Sequence, residues 1–132
     1  MTPEQLLRAA EEAMAYAYAP YSGCKVGAAL LCTDGTVYTG CNIENASFGP
    51  TNCAERTAFF KAVSEGRRDF AAIAVVGGKD GILEGPFPPC GVCRQVMAEF
   101  CGNDFEIYLT GGITLTLADL LPHRFGAENF QG

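Results

Sequence analysis

The sequence is short of positive charge. Nine Lys and Arg stand against fifteen Asp and Glu in 132 residues, a formal charge of −6. Surfaces that track nucleic acid depend on clustered Lys and Arg, and the longest basic run here is the pair Arg67–Arg68. A small, weakly charged ligand suits this chain better than a polyanion. Long apolar runs are also missing. "FAAIAVVGG" at 70–78 is far too short to cross a bilayer. The first residues, Met-Thr-Pro-Glu, show no basic segment followed by an apolar one, so no signal peptide is expected. The expectation is a soluble, cytoplasmic protein. Histidine occurs once, as His123 beside Pro122, far in sequence from the other candidate ligands, and it reads as surface or interface. No internal repeat or low-complexity segment stands out.

What is present is an ordinary globular composition, 48% hydrophobic and 18% charged. The length predicts one domain spanning 1–132, enough to bury a core without covalent staples. Cysteine is the exception: seven residues is a high and odd number. With no sign of export, a disulfide framework is not expected. Reduced thiols then point to metal, redox chemistry or plain burial.

Thr2 to Gln5 has the form of a capping box with Pro3 at the first helical position. Apolar residues at 6, 7, 10, 14 and 18 recur at helical spacing, which predicts a helix over about 3–17, ended by Pro20. Strands are predicted near 25–32 and 37–41, turned at Asp34-Gly35. Residues 42–52 read as loop. A second helix is predicted over about 53–65, stopped by Gly66. "FAAIAVVG" reads as a central strand covered on both faces. A third helix should start near Gly91 and end at Gly102. "FEIYLT" and "ITLT" read as strands, and Thr116 to Asp119 as the capping box of a short last helix through Leu121. Strands alternating with helices give a layered α/β domain.

Two stretches carry chemistry: "TNCAERTAFF" at 51–60 and "PPCGVCRQV" at 88–96. Cys53 stands at the start of the second helix, and Cys90 and Cys93 at the start of the third. Helix N-termini favour negative charge and lower thiol pKa. Three thiolates brought together suit Zn²⁺, which prefers sulfur in tetrahedral geometry, and three protein ligands leave a fourth position for water, the catalytic pattern. Glu55, two residues from a ligand, is placed to carry protons. Three thiolates on Zn²⁺ sum to −1, and a nearby cation would offset this. Arg56 is the first candidate and Arg94 the second. Taken alone, Cys90–Cys93 also fits a structural zinc half-site or a redox pair. Cys24, Cys32, Cys41 and Cys101 read as small core or pocket-wall residues. By local sequence Asn42 and Glu44 only turn a loop, Phe125 is ordinary packing, and Tyr18 and Tyr21 are packing residues.

Cys53-Ala54-Glu55 followed by Pro89-Cys90-Gly91-Val92-Cys93 resembles the three-cysteine form of the zinc nucleobase deaminase signature. Beyond the superfamily, the chain is similar to the small cytidine deaminases. The similarity runs from "YAPYSGCKVGAALL" through "GCNIENASFGPTNCAERTAFFKAVSEG" and "PCGVCRQVMAEF" to "LADLLPHRF". The resemblance implies a three-layer α/β/α fold with a mixed five-stranded sheet. It implies one Zn²⁺ per subunit on Cys53, Cys90 and Cys93, with Glu55 as the catalytic residue. It implies hydrolytic deamination of cytidine and 2'-deoxycytidine in pyrimidine salvage, with Glu55 passing a proton to N3 and then to the departing amine. Asn42 and Glu44 would bind the ribose hydroxyls, with Ala54 also at the substrate. Small deaminases of this kind are usually homotetramers with shared active sites, and Phe125 would pack near the base across an interface. Cys24 departs from the pattern: the family commonly has Phe there, so pocket shape and nucleoside range are open.

Three rivals remain. A deaminase of another cytosine nucleoside is disfavoured by the Asn42-x-Glu44 loop. A polynucleotide editor is disfavoured by the acidic charge. A non-catalytic zinc or thiol-redox module would need a fourth protein ligand better than Glu55, or a metal-free, exchangeable C-x-x-C.

Overall fold

A computed structural model describes residues 1–83 and 85–130, so Glu84, Gln131 and Gly132 of the expected 1–132 domain fall outside the described residues. The chain opens with a capped helix, α1 (Pro3–Met14). Thr2 Oγ1 accepts from the Gln5 N–H at 3.2 Å, and Gln5 Oε1 accepts from the Thr2 N–H at 2.9 Å. Two donors that the helix start would leave unpaired are thereby satisfied. Leu6, Ala10 and Met14, four residues apart, form the buried stripe.

The helix stops at Met14, earlier than the expected residue 17. Tyr18 is drawn away into a bridge with the 42–52 loop: its N–H donates to Asn42 O at 3.0 Å and its carbonyl accepts from the Glu44 N–H at 2.8 Å. Tyr18 and Tyr21, expected to pack, are both more than half exposed in this chain.

The remaining elements are β1 (Cys24–Cys32), β2 (Val37–Cys41), α2 (Ala54–Ser64), β3 (Phe70–Lys79), α3 (Gly91–Phe100), β4 (Glu106–Leu109), β5 (Ile113–Thr116) and α4 (Leu117–Leu120), with a 3₁₀ turn at Ala127–Phe130. The β1–β2 hairpin turns at Gly35, whose φ of 94° needs glycine. Five strands form one sheet in the order β2-β1-β3-β4-β5. β1 is antiparallel to both β2 and β3, β3 is parallel to β4, and β4 is antiparallel to β5. The sheet is therefore mixed, as expected. β1 and β3 are buried along most of their length because both faces are covered.

α1 covers one face, packing Leu6, Ala10 and Met14 on Ala29, Ala72, Ala74 and Val76. α2 and α3 cover the other, where Phe59 and Met97 meet Leu30, Ile73, Val75 and Ile107. Phe59 is the centre of an aromatic cluster, edge-on to Phe70 at 5.2 Å and in contact with Phe100 and Phe105. This is the three-layer α/β/α arrangement.

The topology locates the site. β2 and β3 are each antiparallel to β1, so they run parallel to each other on either side of it. Their carboxyl ends emerge at one edge, beside the start of β1. α2 follows β2 through the 42–53 loop, and α3 follows β3 through residues 80–90. Both helices therefore begin over the same sheet edge.

Candidate active site

Cys53 occupies the N-cap position of α2 and Cys90 that of α3, both with extended backbone and without a side-chain cap bond. Cys93 is one turn into α3 and buried. The three Sγ atoms lie within 4.8 Å of one another. Cys53 and Cys90 are 3.8 Å apart, and Cys90 and Cys93 are 3.5 Å apart. All three are free thiols rather than disulfide partners. Sulfurs held at Zn–S bond length around one tetrahedral ion sit about 3.8 Å apart, so the cluster fits Zn²⁺ in spacing as well as in ligand type.

The electrostatics agree. The neighbouring Cys93 thiol pulls the Cys53 thiol down to about 5, and Arg56 lowers it further against the opposing effect of burial. The nearness of Cys53, with burial, pushes Cys93 up. Three thiols this close cannot all ionise without a cation among them, which is the condition Zn²⁺ meets. The Arg56 guanidinium donates from Nη2 to Cys53 Sγ at 3.2 Å.

Arg94, the other candidate cation, is spent elsewhere. Its Nε donates to Pro89 O at 2.8 Å and its Nη1 to Leu120 O at 3.2 Å. Arg94 follows Cys93 directly, and adjacent residues on a helix do not share a face, whereas Arg56 lies three residues from Cys53 and does. Arg94 ties α3 to α4.

Glu55 lies in the first turn of α2 and is 4% exposed. Burial, the largest effect, pushes its carboxyl up to about 7, and the neighbouring Cys53 thiolate adds to this. A carboxyl that exchanges protons near neutrality is suited to general acid–base work.

A cavity of about 220 Å³ joins the sulfur cluster to the 42–52 loop, lined by Cys53, Ala54, Glu55 and Cys90 together with Ser22, Cys24, Asn42 and Glu44. A larger open groove of about 700 Å³ lies over β2 between α1 and α2, lined by Tyr16, Cys41 and Lys61 among others. It contains none of the sulfur cluster, so the site is assigned to the smaller cavity. Asn42 is buried. Its Oδ1 accepts from the Val26 N–H and its Nδ2 donates to Cys24 O, both at 2.8 Å. The side chain thus extends the β1–β2 ladder past Cys41 and keeps one donor and one acceptor in reserve. Glu44 accepts from the Tyr21 and Ser22 N–H groups and from the Ser22 hydroxyl. The hydroxyl bond is the main reason its pKa is lowered.

The expected residues Cys53, Ala54, Glu55, Cys90, Cys24, Asn42 and Glu44 therefore meet at one cavity, with Arg56 against the sulfur cluster and Cys93 within it. Phe125 does not line this cavity; it is 56% exposed and meets Phe130 edge-on at 5.6 Å. His123 is exposed, as expected. Sequence reasoning missed Ser22, Val26, Thr51, Asn52, Phe87 and Pro88 on the wall. Strand alternation from Cys24 would have found Val26. The others come from loops with no local signal.

A three-thiolate cluster and a buried carboxylate at paired helix starts, over a mixed five-stranded sheet, define a zinc-binding deaminase domain. Residues 1–109 match the family model described as the cytidine and deoxycytidylate deaminase zinc-binding region. The cytidine deaminase of Sporosarcina psychrophila is 54% identical over 99% of this chain and 96% of its own length. That of Halalkalibacterium halodurans is 55% identical over 99% of each. The crystal structure of cytidine deaminase from Burkholderia pseudomallei superposes with a TM-score of 0.87 at 51% identity, covering 95% of this chain and all of that one. The chain belongs to the cytidine and deoxycytidylate deaminase family and is an enzyme of the cytidine deaminase type.

Proposed function

We propose that this protein catalyses the hydrolytic deamination of cytidine and 2'-deoxycytidine to uridine and 2'-deoxyuridine with release of ammonia, as a cytoplasmic enzyme of pyrimidine salvage. The observation that carries this is the buried Glu55 beside the Cys53, Cys90 and Cys93 sulfurs, in a cavity that Asn42 and Glu44 also line.

Cys53, Cys90 and Cys93 hold the zinc, which when bound supplies a Lewis acid that makes water nucleophilic at neutral pH. Glu55 takes a proton from the water that attacks C4 and delivers it to N3 of the pyrimidine. It then carries the hydroxyl proton of the C4 adduct to the amine, and the C4–N bond breaks. One water is consumed and one ammonia leaves. Arg56 balances the excess negative charge on the thiolates. Asn42 uses its spare donor and acceptor, and Glu44 its remaining lone pair, on the sugar hydroxyls. Ala54 lies against the base and Cys24 forms the wall between them.

A homotetramer with shared sites is part of the reading. Phe125 and Tyr16 are exposed apolar groups, and the open groove over β2 has the character of a surface covered by another copy. Sedimentation would separate a tetramer from a monomer. The chain acts as a single domain.

The test is Glu55→Gln, assayed for ammonia release from cytidine alongside zinc content. The expected outcome is retained zinc and fold, with turnover reduced by at least about 100-fold, the usual worth of a positioned acid–base group. Near-normal turnover would reject the role given to Glu55.

A further inference from the structure

We propose that Ser22 is a positioning residue for substrate: its hydroxyl orients the Glu44 carboxylate so that one lone pair faces the sugar. The proposal rests on the reading of Glu44 as a sugar-hydroxyl acceptor.

An ionised carboxylate offers about four acceptor positions. Glu44 has three of them taken by the protein. Oε1 accepts from the Tyr21 N–H at 2.9 Å and the Ser22 N–H at 3.0 Å, and Oε2 accepts from the Ser22 hydroxyl. The remaining position is on Oε2, and Glu44 lines the cavity. Ser22 Oγ in turn accepts from the Cys24 N–H at 3.0 Å. That bond fixes the sense of the pair: the oxygen receives from the first residue of β1 and the proton points to Glu44.

Ser22 is also held by contacts that do not involve Glu44. Its carbonyl accepts from Lys79 Nζ at 2.7 Å. The next carbonyl, of Gly23, accepts from the Asp80 N–H at 2.7 Å, and the Gly23 N–H donates to Ala19 O at 3.1 Å. Gly23 itself sits at φ 72°, a turn that glycine adopts without strain. The turn is thus pinned to the end of β3, a template on which the carboxylate is set. Without the hydroxyl, Oε1 keeps two donors but Oε2 loses its partner, and the carboxylate plane is free to tilt. The hydrogen bonds of Ser22 involve neither Glu55 nor the sulfur cluster, so its loss should act on binding rather than on the chemical step.

The test measures kcat and KM for wild type, Ser22→Ala, Ser22→Thr and Glu44→Ala on cytidine and on 2',3'-dideoxycytidine, with zinc content and melting midpoint as controls. Ser22→Ala should raise KM for cytidine about tenfold, as expected for a hydrogen bond to a charged group, with kcat changed less than about twofold. Ser22→Thr, which restores the hydroxyl, should recover most of the loss. On 2',3'-dideoxycytidine the ratio of wild-type to Ser22→Ala kcat/KM should fall towards one. A Ser22→Ala penalty of equal size on both nucleosides, or none on cytidine, overturns the proposal. Glu44→Ala separates the two claims. If its penalty vanishes on the dideoxynucleoside while that of Ser22→Ala does not, Ser22 alone is misassigned. If its penalty is the same on both, the sugar-binding reading of Glu44 fails and takes the proposal with it.

Discussion

Arg56 and Glu55 are neighbours in sequence with opposite burdens. Arg56 donates to Cys53 Sγ at 3.2 Å, where it would offset the −1 left when three thiolates meet one divalent cation. Arg56→Gln keeps a polar side chain and removes the charge. It should lower kcat/KM about tenfold or more, the scale of a charge-assisted hydrogen bond, while the melting midpoint moves little. Wild-type kinetics would show that the charge is unimportant.

Glu55 carries a pH signature. Its carboxyl is pushed up to about 7 by burial from an ordinary value of 4.5. Below 4.5 both the folded and unfolded chains hold this proton. As pH rises from there to about 7, the unfolded chain loses it first, so folding stability falls over that window. In chelated protein, the urea midpoint of wild type should drop between pH 4.5 and 7 relative to that of Glu55→Gln. Parallel pH curves would contradict the burial argument.

At the scale of elements, two glycines set how closely the helices approach the sheet. A Cβ on Gly40 of β2 would meet the Ala54 carbonyl at 2.5 Å and the Ala58 nitrogen at 2.6 Å, both backbone atoms of α2. A Cβ on Gly27 of β1 would strike the Ala10 carbonyl of α1. Neither helix backbone can yield locally, so Gly40→Ala and Gly27→Ala should each destabilise by about 1–3 kcal/mol or more. Their effects on activity should differ. α2 carries Cys53 and Glu55 at its start, and α1 carries no site residue. Kinetics on the folded fraction should show a kcat loss for Gly40→Ala well beyond that for Gly27→Ala; equal losses would show that the position of α2 is not what sets the site.

Element scale is also where the sequence was most legible. Capping boxes at Thr2 and Thr116, glycine stops and helical or alternating periodicity are local signals, and the elements they mark lie within a few residues of expectation. The C-terminal end of α1 was not legible because the bridge of Tyr18 to Asn42 and Glu44 is long-range. The same reason hid Ser22, which reaches Glu44 across 22 residues. Arg94, ranked second to Arg56 in the sequence, has long-range and backbone partners that no local signal marks: the carbonyls of Pro89 and Leu120. The cysteines and Glu55 were legible because two short motifs each place them at a helix start, and only the parallel run of β2 and β3 was needed to bring those starts together.

For the whole molecule, the sheet serves as a frame that delivers two helix N-termini to one edge, and the ion is what makes three adjacent thiolates tenable. Zinc stoichiometry measured by mass spectrometry, alongside cytidine turnover before chelation, after it and on zinc re-addition, tests this most directly. The expected result is one zinc per chain, loss of turnover with the metal and recovery when it returns. Full turnover by protein shown to be free of metal would contradict it.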